Sequence, residues 1–409
     1  MKQSIRPFEN FFTVASLLLF SQGFYTVILG GGIGGEEGDV DSALLRFSFL
    51  FIYLITSALL WFRLPVTLAF LKTNPWILFL IGLAIFSVSW STLPSLAFRK
   101  VVALIGSTLF ALYLGSRYTF EEQLKLYGWT FGIALFVSFV FALVIPAYGI
   151  MPSSGAWRGI YPHKNGLGQG MFVSFLTFYF LSISSKNYQL LFKICCLLSV
   201  VIIILGQSAT GLISVLFIFS TAQGLKFISL KSKKSVFLLL LFLIFTIILI
   251  FLLMINLDAL LGLYDRDITL TGRTPLWASL WEFIKLKPWL GYGYGTFFSN
   301  LHRETDIIWQ IHDWIPPNSH NGYIHVWLNV GVIGLIVFCL GYFSCVFNSL
   351  FKYLISQDTH MLWVFLLLLY TLFFNLTEVS FLTTGMLWII SLAAIYSIKT
   401  SPKNIKSSN

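Results

Sequence analysis

The stretch Pro316-Pro317-Asn318-Ser319-His320-Asn321-Gly322-Tyr323 marks the point where a long polar insertion, running from Asp258, gives way to an apolar run that begins near Gly322. That change of character decides the fold. Lipid offers no hydrogen-bond partner to exposed backbone, so a polar stretch framed by continuous apolar runs reads as membrane helices joined by a loop. The runs do not alternate, and a closed β-barrel is not implied.

Composition agrees. The 409 residues are 57% hydrophobic and 10% charged, with a mean hydropathy of +0.85; soluble chains carry about 25% charged residues. A bilayer core needs about 20 apolar residues per helix. Working outward from Gly322 on that basis, spans are expected near 11–30, 43–62, 76–91, 97–115, 124–145, 166–184, 188–206, 209–225, 235–257, 322–347, 361–376 and 381–398. The fold class is therefore an all-α polytopic membrane protein of about 12 transmembrane helices. Residues 1–409 form a single integral membrane domain, and 258–321 form one large loop carrying the candidate site.

The first run, Phe11 to Leu29, follows Lys2 and Arg6 but is long and lacks a small-residue cleavage site, so it reads as a retained span rather than a signal peptide. Cys195, Cys196, Cys339 and Cys345 all fall within apolar runs and read as small buried hydrophobes, without a disulfide framework or a metal set. Gly30-Gly31-Gly32-Ile33-Gly34-Gly35 lacks the pattern of a phosphate loop and is a connector.

A net charge of +10 would suggest nucleic acid in a soluble chain. Here its distribution carries the information, and no nucleic-acid partner is expected. Arg63, Lys72, Arg117, Lys226, Lys231, Lys233, Lys234, Lys399, Lys403 and Lys406 fall on one side of the spans, while Glu36, Glu37, Asp39 and Asp41 fall on the other. The positive-inside rule then puts both termini in the cytoplasm and Asp258 to Asn321 outside.

Two outer segments hold chemistry. In Ser153 to Gly166, Arg158, His163 and Lys164 lie close together and can hold a diphosphate or acidic sugar, or simply form a solvated interfacial loop. In the large loop, Thr274 reads as an N-cap and Pro275 as a first-turn proline. Leu276, Trp277, Leu280, Trp281 and Ile284 then share one face until Pro288, which predicts an amphipathic helix lying on lipid or covering a cavity. Arg273, at the positive end of that helix, suits an anion or is merely solvated. His320 stands where loop becomes helix, a position that keeps imidazole neutral, as a general base requires, or that uses it as a cap. His302, His312, His320 and His325 show no metal-ligand spacing.

Gly272-Arg273, the Trp-containing helix, Pro288 with Gly291-Tyr292-Gly293-Tyr294-Gly295, and Asn318-Ser319-His320-Asn321-Gly322-Tyr323 with Gly331 and Gly334 resemble the signature region of the O-antigen ligase and polymerase superfamily. Arg158 with His163-Lys164-Asn165 is similar to the variant in its exopolysaccharide-production branch. The resemblance implies a bacterial inner-membrane glycosyltransferase, inverting and metal-independent, needing no cofactor. Such an enzyme moves a glycan from an undecaprenyl-diphosphate donor to a glycan, lipid A core or other hydroxyl acceptor on the periplasmic face. By position, His320 matches the histidine proposed as catalytic base and Arg273 the arginine assigned to the diphosphate; Asn321 is a further substrate-binding candidate. A second arginine of many ligases would fall in Gln207-Ser208-Ala209-Thr210-Gly211, where this chain has none; Arg158, His163 and Lys164 are the candidates to replace it. The competing reading is a transporter or flippase of an anionic lipid-linked substrate, which charges deep within the spans would favour; the span interiors are nearly free of them.

Overall fold

The computed structural model describes residues 6–28, 42–226, 237, 272–299, 301–312 and 314–398. They are helical, joined by turns, with a lone antiparallel bridge between Ile150 and Trp157. Among them six helices are long and apolar enough to cross a membrane, or up to seven if a bent helix pair is taken as one span: the six are Ala43–Trp61, Pro94–Arg117, Phe120–Val144, Lys164–Ser184, Ala209–Lys226 and Gly322–Ser356. Gln189–Leu205, Thr359–Phe374 and Met386–Ser397 are apolar but shorter. Helices thus fall within most of the expected apolar runs, although Arg6–Phe20 ends short of the expected 11–30 and the described residues hold six or seven membrane-length helices where about twelve were expected. The expected span near 235–257, the glycine run 30–35 and residues 258–271 lie outside the described residues. Leu64–Thr73, carrying a first-turn proline, is a helix the apolar pattern did not predict.

Large apolar side chains such as Leu44, Phe47, Phe51 and Leu54 of Ala43–Trp61 point outward. In water such a surface would be an aggregation patch; in hydrocarbon it is the solvent-facing side.

The chain divides into two compact units. The first comprises 1–74, 102–216 and 382–409. In it Phe120–Val144 starts with a capping box, the Thr119 hydroxyl accepting from Glu122 N and the Glu122 carboxylate from Thr119 N. This helix packs on Lys164–Ser184, which packs in turn on Gln189–Leu205. Small residues allow the approach: a Cβ on Gly128 would come within 2.8 Å of Leu181. Between facing helices the Ser174 and Ser199 hydroxyls hydrogen-bond at 2.8 Å.

The second unit comprises 75–101 and 217–381 and contains the polar insertion. Its central feature is a break in Gly322–Ser356 at Gly331, with φ 74° and ψ 179°. The turn after Leu286 fills the break: Tyr292 N donates to Leu328 O at 2.7 Å, and Val332 N to Pro288 O at 2.9 Å. The helix thus exchanges an internal bond for two bonds to the turn. A Cβ on Gly331 would stand 1.9 Å from the Trp289 carbonyl oxygen, which is why glycine occupies this position.

Candidate active site

The insertion is built on Arg273–Leu286 and a second helix, Arg303–Ile311, that was not expected from the sequence. Arg273–Leu286 begins two residues earlier than the Thr274 cap predicted. Gly272 is its N-cap, in the left-handed region at φ 83°, and Arg273 is the first helical residue rather than a loop residue before it. Leu276, Leu280 and Ile284 are buried against Tyr292, Phe297, Ile308 and Leu328. Their face packs on protein, so of the two arrangements expected from the sequence, lying on lipid or covering a cavity, the first is not the one these three residues adopt. Trp281 is 46% exposed and meets Trp327 edge-on at 5.4 Å.

His320 is buried, with a left-handed φ of 46°. Its backbone N donates to Asn318 Oδ1 at 2.8 Å, which holds that conformation. Asn321 caps Gly322–Ser356, its Oδ1 accepting from Tyr323 N at 3.0 Å and Ile324 N at 3.1 Å, while Nδ2 donates to Leu376 O. Asn321 is engaged in the fold on both ends of its amide.

The carboxylate that completes the site, Glu378, was not singled out from the sequence. Its Oε1 accepts from Arg273 Nη2 at 2.6 Å, and its Oε2 lies 3.6 Å from His320 Nδ1. Burial by itself raises the Glu378 pKa, but His320 and then Arg273 more than offset it, leaving the carboxyl below its usual value. The only sequence signal was a charge stranded between two apolar runs, at Asn375-Leu376-Thr377-Glu378.

Asn375 positions that carboxylate. Its Oδ1 accepts from Ser380 N and Phe381 N at 2.8 and 3.0 Å, its Nδ2 donates to Thr371 O and Ser380 Oγ, and its backbone O accepts from Gly322 N at 2.8 Å. One residue therefore ties the Glu378 turn, held by its side-chain amide, to the helix that starts beside His320, held by its backbone carbonyl. A Cβ on Gly322 would lie 2.0 Å from Asn375 Oδ1, so glycine is required there by proximity.

The other histidines are dispersed. His302 Nδ1 is 2.8 Å from the Glu304 carboxylate, and burial, opposed by Glu304, pushes its pKa down. His312 Nε2 is 3.2 Å from Ser279 Oγ, and His325 stacks on Phe298. Among the described residues no three His, Cys, Asp or Glu side chains gather as a metal-ligand set.

Arg158, His163 and Lys164 belong to the first unit. Arg158 is buried, donating from Nε to Tyr148 O at 2.9 Å and from Nη2 to Ala147 O at 3.2 Å, so it caps the short helix Pro146–Gly149. Burial lowers its pKa. His163 is the N-cap of Lys164–Ser184, its Nδ1 accepting from Asn165 N at 3.2 Å, and Lys164 is the first helical residue. This loop reaches the turn that lacks the second arginine: Trp157 N donates to Leu205 O at 3.1 Å, and a Cβ on Gly168 would meet Ser208 Oγ at 2.2 Å. Gln207, at that turn, has a left-handed φ of 48°.

The O-antigen ligase family model matches residues 194–339 of this chain. The chain is also 26% identical over 300 residues to the exopolysaccharide production protein ExoQ of Rhizobium meliloti (strain 1021), a match covering 69% of this chain and 66% of that protein. The chain thus spans just under two thirds of this curated relative's length. Together with the Gly272-Arg273 and Ser319-His320-Asn321 region, both matches support the O-antigen ligase superfamily, on its exopolysaccharide-production side, as the family of this membrane protein.

Proposed function

We propose that this chain is a glycosyltransferase of the O-antigen ligase or polymerase type, transferring a glycan from an undecaprenyl-diphosphate donor to an acceptor hydroxyl in surface or exopolysaccharide synthesis. The supporting observation is the buried cluster of Arg273, Glu378 and His320 beside the first turn of Arg273–Leu286. A sugar hydroxyl is a poor nucleophile at neutral pH. His320 takes its proton as the oxygen attacks the anomeric carbon from the face opposite the leaving group, which gives inversion. The bond to the lipid diphosphate breaks in the same event, and its electron pair leaves with the diphosphate oxygen.

Glu378 orients the imidazole and stabilises the imidazolium that forms. Arg273 offers guanidinium N–H groups besides the Nη2 bonded to Glu378, and a guanidinium stabilises the departing diphosphate without protonating it. No metal or cofactor is needed for these steps. Arg158, His163, Lys164 and Asn321 remain proposed substrate contacts; in this structure Arg158 acts first as a buried support for the loop that presents His163 and Lys164. The orientation proposed from loop charges puts 258–321 and this chemistry on the periplasmic face of the inner membrane, with both termini cytoplasmic.

Deleting the gene and analysing lipid-linked and surface glycans tests the reading. A ligase defect leaves full-length glycan on the carrier lipid, and a polymerase defect leaves single repeat units. Intermediates trapped on the cytoplasmic face would instead identify a transporter. Unchanged glycans in every pool, with no redundant homologue active, would remove the assignment.

A further inference from the structure

We infer that Trp314 is a substrate-contacting residue of this site, its indole N–H donating to a phosphate oxygen of the lipid-diphosphate donor; the inference rests on the glycosyl-transfer reading above. Four tryptophans, one of them on the Arg273–Leu286 helix itself, pack on the core that this helix helps to build, and three of them have found carbonyls. Trp277 Nε1 donates to Ser319 O at 2.9 Å, Trp309 Nε1 to Pro316 O at 3.4 Å and Trp327 Nε1 to Pro288 O at 2.9 Å. Trp314 is the exception: its Nε1 is buried without a hydrogen-bond partner among the described residues. Buried indole N–H groups usually find a carbonyl, as those of its three neighbours do. Trp76 and Trp90, elsewhere in the chain, share the unpaired N–H, so it is the placement of Trp314 beside His320 and Arg273 that carries the inference.

The position of that N–H indicates what it awaits. Its ring lies against His320, the centroids 5.4 Å apart and tilted by 54°. Its Nε1 is 2.7 Å from where a Cβ on Gly272 would stand, so glycine at 272 is what lets the indole approach the start of Arg273–Leu286. The next residue is Arg273 itself. The indole N–H only donates, the guanidinium only donates, and the first-turn N–H groups of a helix lack internal acceptors. The Glu378 carboxylate beside the base engages Arg273 Nη2; the indole N–H and the other guanidinium N–H groups match a group rich in acceptor oxygens, and within the reaction that group is the diphosphate. Trp314 thus both walls the imidazole and contacts the leaving group.

The test uses the full-length protein in lipid nanodiscs, with undecaprenyl diphosphate as the probe. Trp314→Phe keeps an aromatic wall and removes the N–H. It is expected to weaken binding about 10- to 100-fold, the range for a hydrogen bond to a charged group, with an unchanged unfolding temperature. Gly272→Ala keeps the indole but crowds its N–H, and the same loss is expected. Wild-type affinity in folded Trp314→Phe, or in Gly272→Ala should Trp314→Phe fail to fold, overturns the role of Trp314 alone. Failure of the wild-type protein to bind the probe overturns the glycosyl-transfer reading, and the inference with it.

Discussion

Arg273 Nη2 and Glu378 Oε1 meet at 2.6 Å across 105 residues of sequence, both side chains largely buried. An isolated charge here would be costly, so each is held in place by the other, and the pair fixes the start of Arg273–Leu286 against the turn that faces His320.

Removing one member leaves the other uncompensated. Arg273→Ala is expected to destabilise the protein by about 3–5 kcal/mol, the range for breaking a buried pair from one side. Arg273→Lys should fold better yet transfer poorly, because an ammonium does not reproduce the planar fork of donors. Thermal unfolding alongside a transfer assay separates the two; full activity in the lysine variant would contradict the diphosphate role.

The depressed Glu378 pKa sets an acid dependence. A carboxyl bound more favourably as its anion contributes stability above its unfolded pKa, and that contribution is lost as pH falls through the folded value, so the window lies below the ordinary 4.5. Wild-type protein should therefore lose stability in that window more steeply than Glu378→Gln. Parallel slopes for the two, read from unfolding temperature against pH, would mean the carboxylate is not the group responsible.

His320→Ala should lower transfer about 10²- to 10⁴-fold, the usual contribution of a general base. Membrane abundance and unfolding temperature, measured alongside, separate this loss from misfolding, because the His320 ring is buried against Trp314. Transfer by the wild-type protein should persist in the presence of chelator. A near-normal rate in purified His320→Ala would remove the proposed base, and inhibition by chelator reversed by added metal would replace the mechanism.

Gly331→Ala forces a Cβ onto the Trp289 carbonyl in a backbone conformation alanine resists. A loss of at least about 1–3 kcal/mol is expected, the cost of one strained residue, before counting the displaced turn. Retention of the wild-type unfolding temperature would show that the Pro288 to Gly295 turn is not anchored at this break.

Cysteine labelling checks the orientation. In a cysteine-free background, Ser319→Cys and Asp39→Cys are expected to react with a small membrane-impermeant reagent added to intact spheroplasts. Ser232→Cys and Ser401→Cys should react only after permeabilisation. The reverse pattern would place the site on the cytoplasmic face.

The apolar runs by themselves determined that this is a helical membrane protein, because a backbone in hydrocarbon must satisfy its own hydrogen bonds and a run of apolar side chains reports that solvent directly. They also set apart Arg273, His320 and Asn321, since polar residues where a span begins or a loop turns stand out against an apolar sequence. Local pattern could not show that Glu378 joins Arg273 and His320. Coulomb attraction and hydrogen bonding act through space, and it is the fold, through the Asn375 network and the Asn321 bond to Leu376 O, that brings that turn to the start of Gly322–Ser356. Nor could it show that Leu276, Leu280 and Ile284 bury against protein rather than lipid, since both are apolar and only the folded chain supplies Tyr292, Phe297 and Leu328 as the facing surface. Nor could it show that Arg158 donates to the Ala147 and Tyr148 carbonyls: its charge is written in the sequence, while those partners are brought there by the fold.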